Sequence, residues 1–253
     1  MGEGRILLLG GTGEARELAG ELVSAGIPVV SSLAGRVRDP RLPVGDVRIG
    51  GFGGVDGLVA WLREHEISGV VDATHPFAQT MTDHAAAAAQ RLGTPLLRLR
   101  RPPWEPDVDD SWQLVSDIGA AARTVGRLAD TPDGLRVFLT TGRQDVAAFS
   151  DLADAWFLIR VVDPPTGALP PRHQILRSRG PYDLDRERDL MRDNGIDVLV
   201  TKNSGGELTR AKLTAAAELG IRVVMVQRPP EPAVGETVGT TSAAVDWVVS
   251  LST

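Results

Sequence analysis

Short apolar runs alternate with amphipathic segments along almost the whole chain. RILLLGG at 5–11 is typical of a buried strand, and EARELAGELVSAG at 14–26 has apolar residues at helical spacing before a terminal glycine. Further strands, several running into polar loops, are predicted at 27–35, 47–52, 69–77, 94–103, 112–115, 136–142, 156–162, 173–180, 197–206 and 222–230. Further helices are predicted at 55–66, 78–93, 117–129, 145–149, 184–195, 209–220 and 242–251. This alternation predicts an α/β fold in which helices flank parallel sheets.

One stretch interrupts the alternation. RPPWEPDVDDS at 101–111 is rich in proline and aspartate and has no hydrophobic periodicity, as is typical of a linker. The sequence therefore predicts two domains, 1–105 and 106–253, which are alike in architecture but share no repeated sequence.

The composition narrows the class of protein. The 253 residues are 42% hydrophobic and 24% charged, which is ordinary for a globular protein. Cysteine is absent, which excludes disulfides and thiolate metal sites, and the scattered histidines offer no credible metal cluster. The net charge of −6 argues against a general nucleic-acid binder. With neither a long apolar span nor the pattern of a secretory signal, a cytoplasmic protein is expected.

Polar or small residues follow four of the predicted strands. These loops are GGTGEA (10–15), ATHPFA (73–78), TTGRQD (140–145) and TKNSGGE (201–207). Ligands of open α/β sheets bind beyond the carboxyl ends of the strands. We therefore expect the functional site among these loops.

The first loop is predicted to bind phosphate. Gly11 and Gly13 fill the first two positions of the dinucleotide fingerprint GxGxxG, although Arg16 occupies the third. Glycines let the backbone approach a ligand, and free N–H groups at a helix start attract an anion. The alternative is a tight strand–helix turn that binds nothing. The cofactor-binding residues expected here are Gly10, Gly11, Thr12, Gly13 and Glu14.

The region after the second predicted strand favours NADPH over NADH. Folds that bind NADH usually place an acid at the end of this strand, and no carboxylate occurs from Leu22 through Arg38. The hydroxyls of Ser31 and Ser32 and the cation of Arg36 suit a 2′-phosphate instead. The alternative is that the arginines are solvated loop charges, which we favour for Arg38 and leave open for Arg36.

The loop DATHPFA contains a histidine for which more than one role is available. Pro76 biases His75 to an extended conformation. At the carboxyl end of a strand, His75 could donate to a phosphate or a ribose, or act as an acid. The alternative is that Thr74 or His75 caps the next helix, and the two roles are compatible.

Two loops in the second half combine hydroxyls, glycines and cations. TTGR ends in Gly142 and Arg143, and KNSGG places Lys202, Asn203 and Ser204 before its glycines. Such loops are typical of anion-binding nests, and the alternative is a turn softened by glycine.

A pair of arginines follows in the same half. Arg177 and Arg179 lie two residues apart on the predicted strand 173–180, so both are expected on one side of it, where they could bind carboxylates. The alternative is a solvent-exposed edge strand.

Several enzyme classes are excluded. The only tyrosine, Tyr182, is followed four residues later by Arg186 rather than lysine, which rules out the mechanism of the short-chain reductases. The chain has neither the GxxxxGK[ST] motif of P-loop NTPases nor the GxSxG elbow of α/β-hydrolases.

Five stretches together resemble the precorrin-6A reductases of cobalamin biosynthesis. They are GGTGEAREL (10–18), SLAGR (32–36), DATHPFA (72–78), TTGR (140–143) and TKNSGG (201–206), in the order and at the spacing of that family. The resemblance covers essentially the whole chain, and the stretches are specific as a set rather than singly.

The resemblance implies a function and a site. It implies two Rossmann-like domains with the active site in the cleft between them, and an NADPH-dependent reduction of a macrocyclic double bond that turns precorrin-6A into precorrin-6B. By position it places Gly11, Thr12, Gly13 and Glu14 beside the pyrophosphate, Ser32, Gly35 and Arg36 near the adenosine phosphate, and His75 and Phe77 along the cleft. The cofactor-binding set is completed by Thr74, Thr141, Gly142, Arg143, Lys202, Asn203 and Ser204.

The implied substrate is a polycarboxylate tetrapyrrole, which agrees with clustered arginines in an acidic protein. The candidate substrate-binding residues are Arg143, Arg177, Arg179 and Lys202, and the candidate proton donors are His75 and Asp145. No nucleic-acid or membrane partner is expected, and a monomer is compatible with the sequence. The alternatives are a non-catalytic NADP-sensing Rossmann protein and an NADPH reductase of another conjugated small molecule.

Overall fold

The structure is a computed structural model that describes residues 4–35, 41–108, 110–130 and 134–251. Its strands are β1 (Arg5–Leu9), β2 (Val29–Leu33), β3 (Asp46–Ile49), β4 (Ile67–Asp72), β5 (Leu96–Leu99), β6 (Trp112–Val115), β7 (Leu135–Leu139), β8 (Ala155–Val161), β9 (His173–Arg177), β10 (Val198–Lys202), β11 (Arg222–Val226) and β12 (Glu236–Val238). Its α-helices are α1 (Gly13–Ser24), α2 (Gly54–Glu64), α3 (Gln79–Leu92), α4 (Ile118–Ala129), α5 (Leu184–Asp193), α6 (Ala211–Glu218) and α7 (Thr241–Ser250). None of the helices in these ranges is both long and apolar enough to cross a membrane.

The first compact unit comprises the described residues up to Pro102 together with those from Pro230 onward. Its strands form one parallel sheet in the order β12-β5-β4-β1-β2-β3. Alternate residues of β1 are buried on opposite faces of the sheet. Ile6 and Leu8 pack in a cluster that includes residues of α1 and α7, and Leu7 and Leu9 pack in one that includes residues of α2 and α3.

The second compact unit runs from Pro103 to Pro229. Its sheet is also parallel, in the order β6-β11-β10-β7-β8-β9. Phe138, Leu199 and Met225 lie in its core, and so does Trp104 from the segment before β6. The prediction of an α/β fold with two parallel, helix-flanked sheets is confirmed.

The domain boundaries differ from the prediction. The sequence assigned 106–253 to one domain, but the chain returns to the first sheet after Pro229. There β12, which the sequence analysis missed, pairs with β5 from Glu236↔Leu97 to Val238↔Leu99. Ala244 and Val248 of α7 bury in the same cluster as residues of α1. This short strand forms one edge of the first sheet, so the described residues from Pro230 onward belong with those up to Pro102.

Two segments that were predicted as a strand followed by a polar loop have that structure. The strand of the segment 69–77 is β4, which ends at Asp72, and the strand of the segment 197–206 is β10, which ends at Lys202. The helix predicted at 145–149 is a 3₁₀ turn, Val146–Phe149. The helix predicted at 209–220 is α6, which begins at Ala211, and a second 3₁₀ turn, Glu207–Thr209, precedes it.

Strand order reverses once in each sheet. In the first sheet the chain runs outward from β1 through β2 and β3, and then continues on the other side of β1 with β4. In the second sheet the same reversal lies between β7 and β10. The four polar loops identified in the sequence come at the ends of the strands on either side of these two reversals, which are β1, β4, β7 and β10. Ligands of open α/β sheets bind at such reversal points, so the fold gathers the predicted loops into two candidate sites, one per unit.

Candidate functional site

The glycine turn between β1 and α1 leaves backbone N–H groups open. Gly11 has φ of 118°, a conformation that favours glycine, and a Cβ placed on it would meet nothing within 4 Å. The N–H of Gly10 donates to Ser32 O at 2.9 Å and so continues the sheet. No hydrogen bond joins the N–H groups of Gly11, Thr12 and Gly13 to the part of the chain that the structure describes. Three free donors at a helix start form a ready anion site.

Thr12 holds this turn in place. Its hydroxyl accepts from Ala15 N at 3.1 Å as the N-cap of α1, and donates to Ala73 O at 2.8 Å. This hydrogen bond to Ala73 joins the turn after β1 to the loop after β4, so the two loops at the first reversal point are held together.

Glu14 forms an ion pair with Arg101. Arg101 Nη1 lies 2.9 Å from both carboxylate oxygens of Glu14, and neither side chain is more than about a quarter exposed. Burial acts to raise the pKa of Glu14, but the hydrogen bonds with Arg101 and with backbone outweigh it and hold the pKa below its usual value of 4.5. A carboxylate in the first turn also suits the helix dipole.

This pair predicts a pH dependence of stability. Since the pKa of Glu14 is lower in the folded chain, the ionised carboxylate contributes stability above pH 4.5 that is lost as the pH falls through the folded value. Glu14→Gln is expected to lower the free energy of unfolding by about 1 kcal/mol at neutral pH, and the difference from wild type should shrink in acid. Urea unfolding in a series of buffers measures both. Glu17→Gln, at an exposed position on the same helix, is the control, and identical pH profiles for the two variants would contradict the assignment.

A buried polar network holds the loop after β4. Asp72 is fully buried, and its carboxylate accepts from Thr74 N at 3.0 Å, Thr74 Oγ1 at 2.6 Å, Thr82 Oγ1 at 2.7 Å and Arg100 Nη2 at 3.1 Å. Arg100 also donates to Thr74 O at 3.0 Å. Sequence reasoning missed Asp72 and Arg100 as positioning residues. The available signal was a single acid ending the apolar run GVVD and an arginine ending LLRLR.

His75 and Phe77 form the tip of this loop. His75 is exposed, and its ring centre lies 5.8 Å from that of Phe77, which is half-buried. Helix α3 begins only at Gln79, and its N-cap, Ala78, has no side-chain hydrogen bond to the helix. The alternative prediction that Thr74 or His75 caps this helix is therefore wrong, because the Thr74 hydroxyl binds Asp72 and the helix starts further along.

The end of β2 carries the predicted 2′-phosphate residues. Ser32 is buried and its hydroxyl accepts from Arg48 Nη1 at 3.2 Å. Gly35 has φ of 69°, and a Cβ there would lie 3.3 Å from Ile49 Cγ2, so glycine suits this close approach to β3. Arg36 and Arg38 lie outside the described residues. Arg48 was not singled out in the sequence analysis.

In the second unit, an ion pair links the loops after β7 and β10. Lys202 Nζ lies 2.6 Å from Asp145 Oδ2, with both side chains about four-fifths buried. Gly142, in the loop after β7, has φ of 96°. The Thr141 hydroxyl is buried and has no hydrogen-bond partner within the described ranges. The structure thus brings together four of the residues that the sequence proposed here, Thr141, Gly142, Asp145 and Lys202.

The loop after β10 is anchored by its own side chains. Asn203 Oδ1 accepts from Trp104 N at 2.8 Å, and its Nδ2 donates to Trp104 O at 2.9 Å. Arg228 donates to the carbonyls of Asn203 and Ser204 at 2.9 and 3.2 Å. The Asn203 side chain therefore fixes the loop, and a contact with the cofactor stays a prediction.

Arg177 and Arg179, the two arginines predicted to lie on one strand, are both exposed. Strand β9 is an edge strand, as the alternative interpretation expected, and it ends at Arg177. The rule that residues two apart share a face does not extend to Arg179, which lies beyond the strand. Their role in substrate binding stays a prediction.

Comparison with known proteins decides the family. A family model described as "Precorrin-6x reductase CbiJ/CobK" matches residues 5–249. The chain is 55% identical over 249 residues to a precorrin-6A reductase of Rhodococcus erythropolis and 56% identical over 248 residues to one of Mycobacterium tuberculosis, with 98% of both chains covered in each case. The chain belongs to the precorrin-6x reductase family. A solved structure titled "CobK precorrin-6A reductase" matches with a TM-score of 0.89 and 40% identity, covering 98% of this chain and 97% of that one.

Membership of the precorrin-6x reductase family confirms the resemblance seen in the five sequence stretches. The chain is an oxidoreductase of cobalamin biosynthesis, a class that requires a nicotinamide cofactor. Members of the precorrin-6x reductase family therefore need a place for a dinucleotide diphosphate. The glycine turn of the first sheet, with its free N–H donors, fits that group.

Proposed function

We propose that this member of the precorrin-6x reductase family reduces a double bond of precorrin-6A to give precorrin-6B, with NADPH as the hydride donor. The observation that carries the proposal is the similarity, over nearly the full length, to two precorrin-6A reductases at 55% and 56% identity. The geometry of the first reversal point supports it, because the glycine turn there leaves the N–H groups of Gly11, Thr12 and Gly13 without a hydrogen bond to the described residues.

The first sheet is proposed to hold the cofactor. The backbone of Gly11, Thr12 and Gly13 would donate to the diphosphate, and the amino end of α1 would favour its charge. Ser32 and Arg36 are proposed for the adenosine end, because the described residues between Leu22 and Gly35 include no acid for a ribose 2′-hydroxyl. NADPH supplies a hydride when bound, and the protein positions and polarises the reacting groups.

The cations of the second unit are proposed to bind the substrate. A tetrapyrrole carries several carboxylates, and arginine and lysine bind carboxylates through charge-assisted hydrogen bonds. Lys202 is held by Asp145 in a buried pair, so its position is fixed before a ligand arrives. Arg143, Arg177, Arg179 and Lys202 are the residues proposed for this role.

His75 is the proton donor that we prefer of the two candidates. Asp145 is committed to an ion pair with Lys202, whose Nζ lies 2.6 Å from Asp145 Oδ2. His75 is exposed on a loop whose backbone the Asp72 network holds in place. A histidine in such a position can deliver the single proton that accompanies a hydride.

Turnover tests the proposal directly. The purified protein is mixed with precorrin-6A and NADPH, the nicotinamide absorbance is followed, and the mass of the product is measured by mass spectrometry. One NADPH is expected to be oxidised per precorrin-6A, with a product heavier by two hydrogens. NADPH binding without any oxidation would instead support a sensor protein. If NADPH is oxidised with a different conjugated substrate but not with precorrin-6A, the protein is a reductase of that other substrate.

A further inference from the structure

Arg48 is a half-buried cation at the carboxyl end of β3. Its Nη1 donates to Ser32 Oγ at 3.2 Å and to Gly50 O at 2.6 Å, and its Nη2 donates to Gly51 O at 2.8 Å. The guanidinium carbon lies 3.7 Å from the ring centre of Phe52. Burial lowers the pKa of Arg48 from its usual value. These contacts hold the guanidinium in one position.

Every one of these partners is electrically neutral. Two buried arginines elsewhere in the chain, Arg100 and Arg160, pair with the carboxylates of Asp72 and Glu187. Within the described ranges, Arg48 pairs with no carboxylate. Because a cation withdrawn from water is stabilised chiefly by an opposite charge, a fixed guanidinium with no carboxylate partner among the described residues is prepared for an anion.

Donors remain available for that anion. A guanidinium has five N–H donors, and the three contacts above use three of them. The remaining two are on Nε and Nη2, the nitrogens that together form one edge of the planar fork. This edge is the one that a phosphate or carboxylate can bind through two parallel hydrogen bonds.

The position matches a defined part of the cofactor. Ser32 and Arg48 are register partners at the carboxyl ends of the neighbouring strands β2 and β3. A dinucleotide whose diphosphate lies at the end of β1 extends its adenosine toward the end of β2, where its ribose 2′ position is recognised. Arg48 therefore lies beside the place where the 2′-phosphate would arrive.

We infer that Arg48, supported by Ser32, recognises the 2′-phosphate of NADPH and makes this reductase specific for it. The inference rests on the proposed function, since it requires a dinucleotide bound at the glycine turn of the first sheet. It assigns to β3 a specificity residue, whereas the sequence directed attention to Arg36 in the loop after β2.

Binding of NADPH and NADH to purified full-length variants tests the inference. Arg48→Met keeps an apolar stem over Phe52 and removes the charge. It is expected to weaken NADPH binding by about 10- to 100-fold and to leave NADH binding within about twofold of wild type. Arg48→Lys keeps the charge but loses the fork, and an intermediate loss is expected. Arg91→Met, at an exposed arginine paired with Asp56 in the same unit, is the matched control and should change neither affinity.

The outcomes separate the inference from the function on which it rests. If wild type prefers NADPH and Arg48→Met keeps that preference, the inference is overturned. Loss of the preference for NADPH in Arg36→Ala would then assign the recognition of the 2′-phosphate to Arg36 instead. If wild type binds both cofactors equally, the proposal of NADPH itself fails. Retained NADH binding shows that a variant is folded, and if Arg48→Met is unfolded, an unchanged preference in Arg48→Lys overturns the inference instead.

Discussion

Gly11→Ala will weaken NADPH binding by about 10- to 100-fold, which corresponds to the loss of hydrogen bonds to a charged group. Gly11 has φ of 118°, which an alanine adopts only with strain of about 1–3 kcal/mol. The turn will relieve that strain by rotating, and the N–H groups of Gly11 and its neighbours will no longer converge on one point. The added methyl group will also occupy open space at the turn, where it meets no other described residue beyond its chain neighbours within 4 Å.

Isothermal titration with NADPH measures this change. Gly20→Ala is the matched control, because Gly20 lies inside α1 and a Cβ there also meets nothing within 4 Å. It should leave NADPH binding unchanged and raise the free energy of unfolding by about 0.5–1 kcal/mol through helix propensity. Wild-type affinity in Gly11→Ala would mean that the diphosphate does not bind at this turn.

Asp72→Asn will lower the free energy of unfolding by about 3 kcal/mol. The substitution keeps the size of the side chain but removes the charge that offsets Arg100 in a fully buried site. It also replaces one acceptor oxygen with a donor that faces other donors. Glu231 Oε1 lies 3.4 Å from Arg100 Nε and compensates part of the cation, so we expect the lower end of the range for a broken buried pair.

Urea unfolding of Asp72→Asn measures the loss. Asp56→Asn breaks an exposed pair with Arg91 and serves as the control, with an expected effect below about 1 kcal/mol. The double variant with Arg100→Met should recover part of the lost stability, because it removes the stranded cation. A loss in Asp72→Asn no larger than that of the control would show that the network does not hold the His75 loop.

Local patterns in the sequence are sufficient for most of the fold. Buried strands such as β1 and β10 contain runs of at least three aliphatic residues, and the helices between strands carry apolar residues at helical spacing, so both types of element are visible in a short window. Strand β12 is visible in no such window. It is three residues long, lies at a sheet edge and buries none of its residues fully, and its partner β5 lies more than a hundred residues earlier. The return of 230–253 to the first sheet depends on that pairing.

The candidate site divides in the same way. The glycine turn and the loops at 140–145 and 201–207 are clusters of particular residue types after a strand, which sequence reveals. The groups that hold them are paired over long separations. Asn203 binds the backbone of Trp104, and Arg100 reaches back to Asp72. Arg48 reaches Ser32 only because β2 and β3 are neighbours in register, so an isolated arginine in VRIGGF gave no signal.

A crystal structure of the protein with NADPH tests the central claim most directly, because both sheets have a strand-order reversal followed by a glycine-containing loop. The account predicts that the diphosphate lies against the backbone N–H groups of Gly11, Thr12 and Gly13. It also predicts that the 2′-phosphate lies on Arg48. Density for the diphosphate on the loop after β10 in the second unit, or anywhere away from the turn after β1, would contradict it.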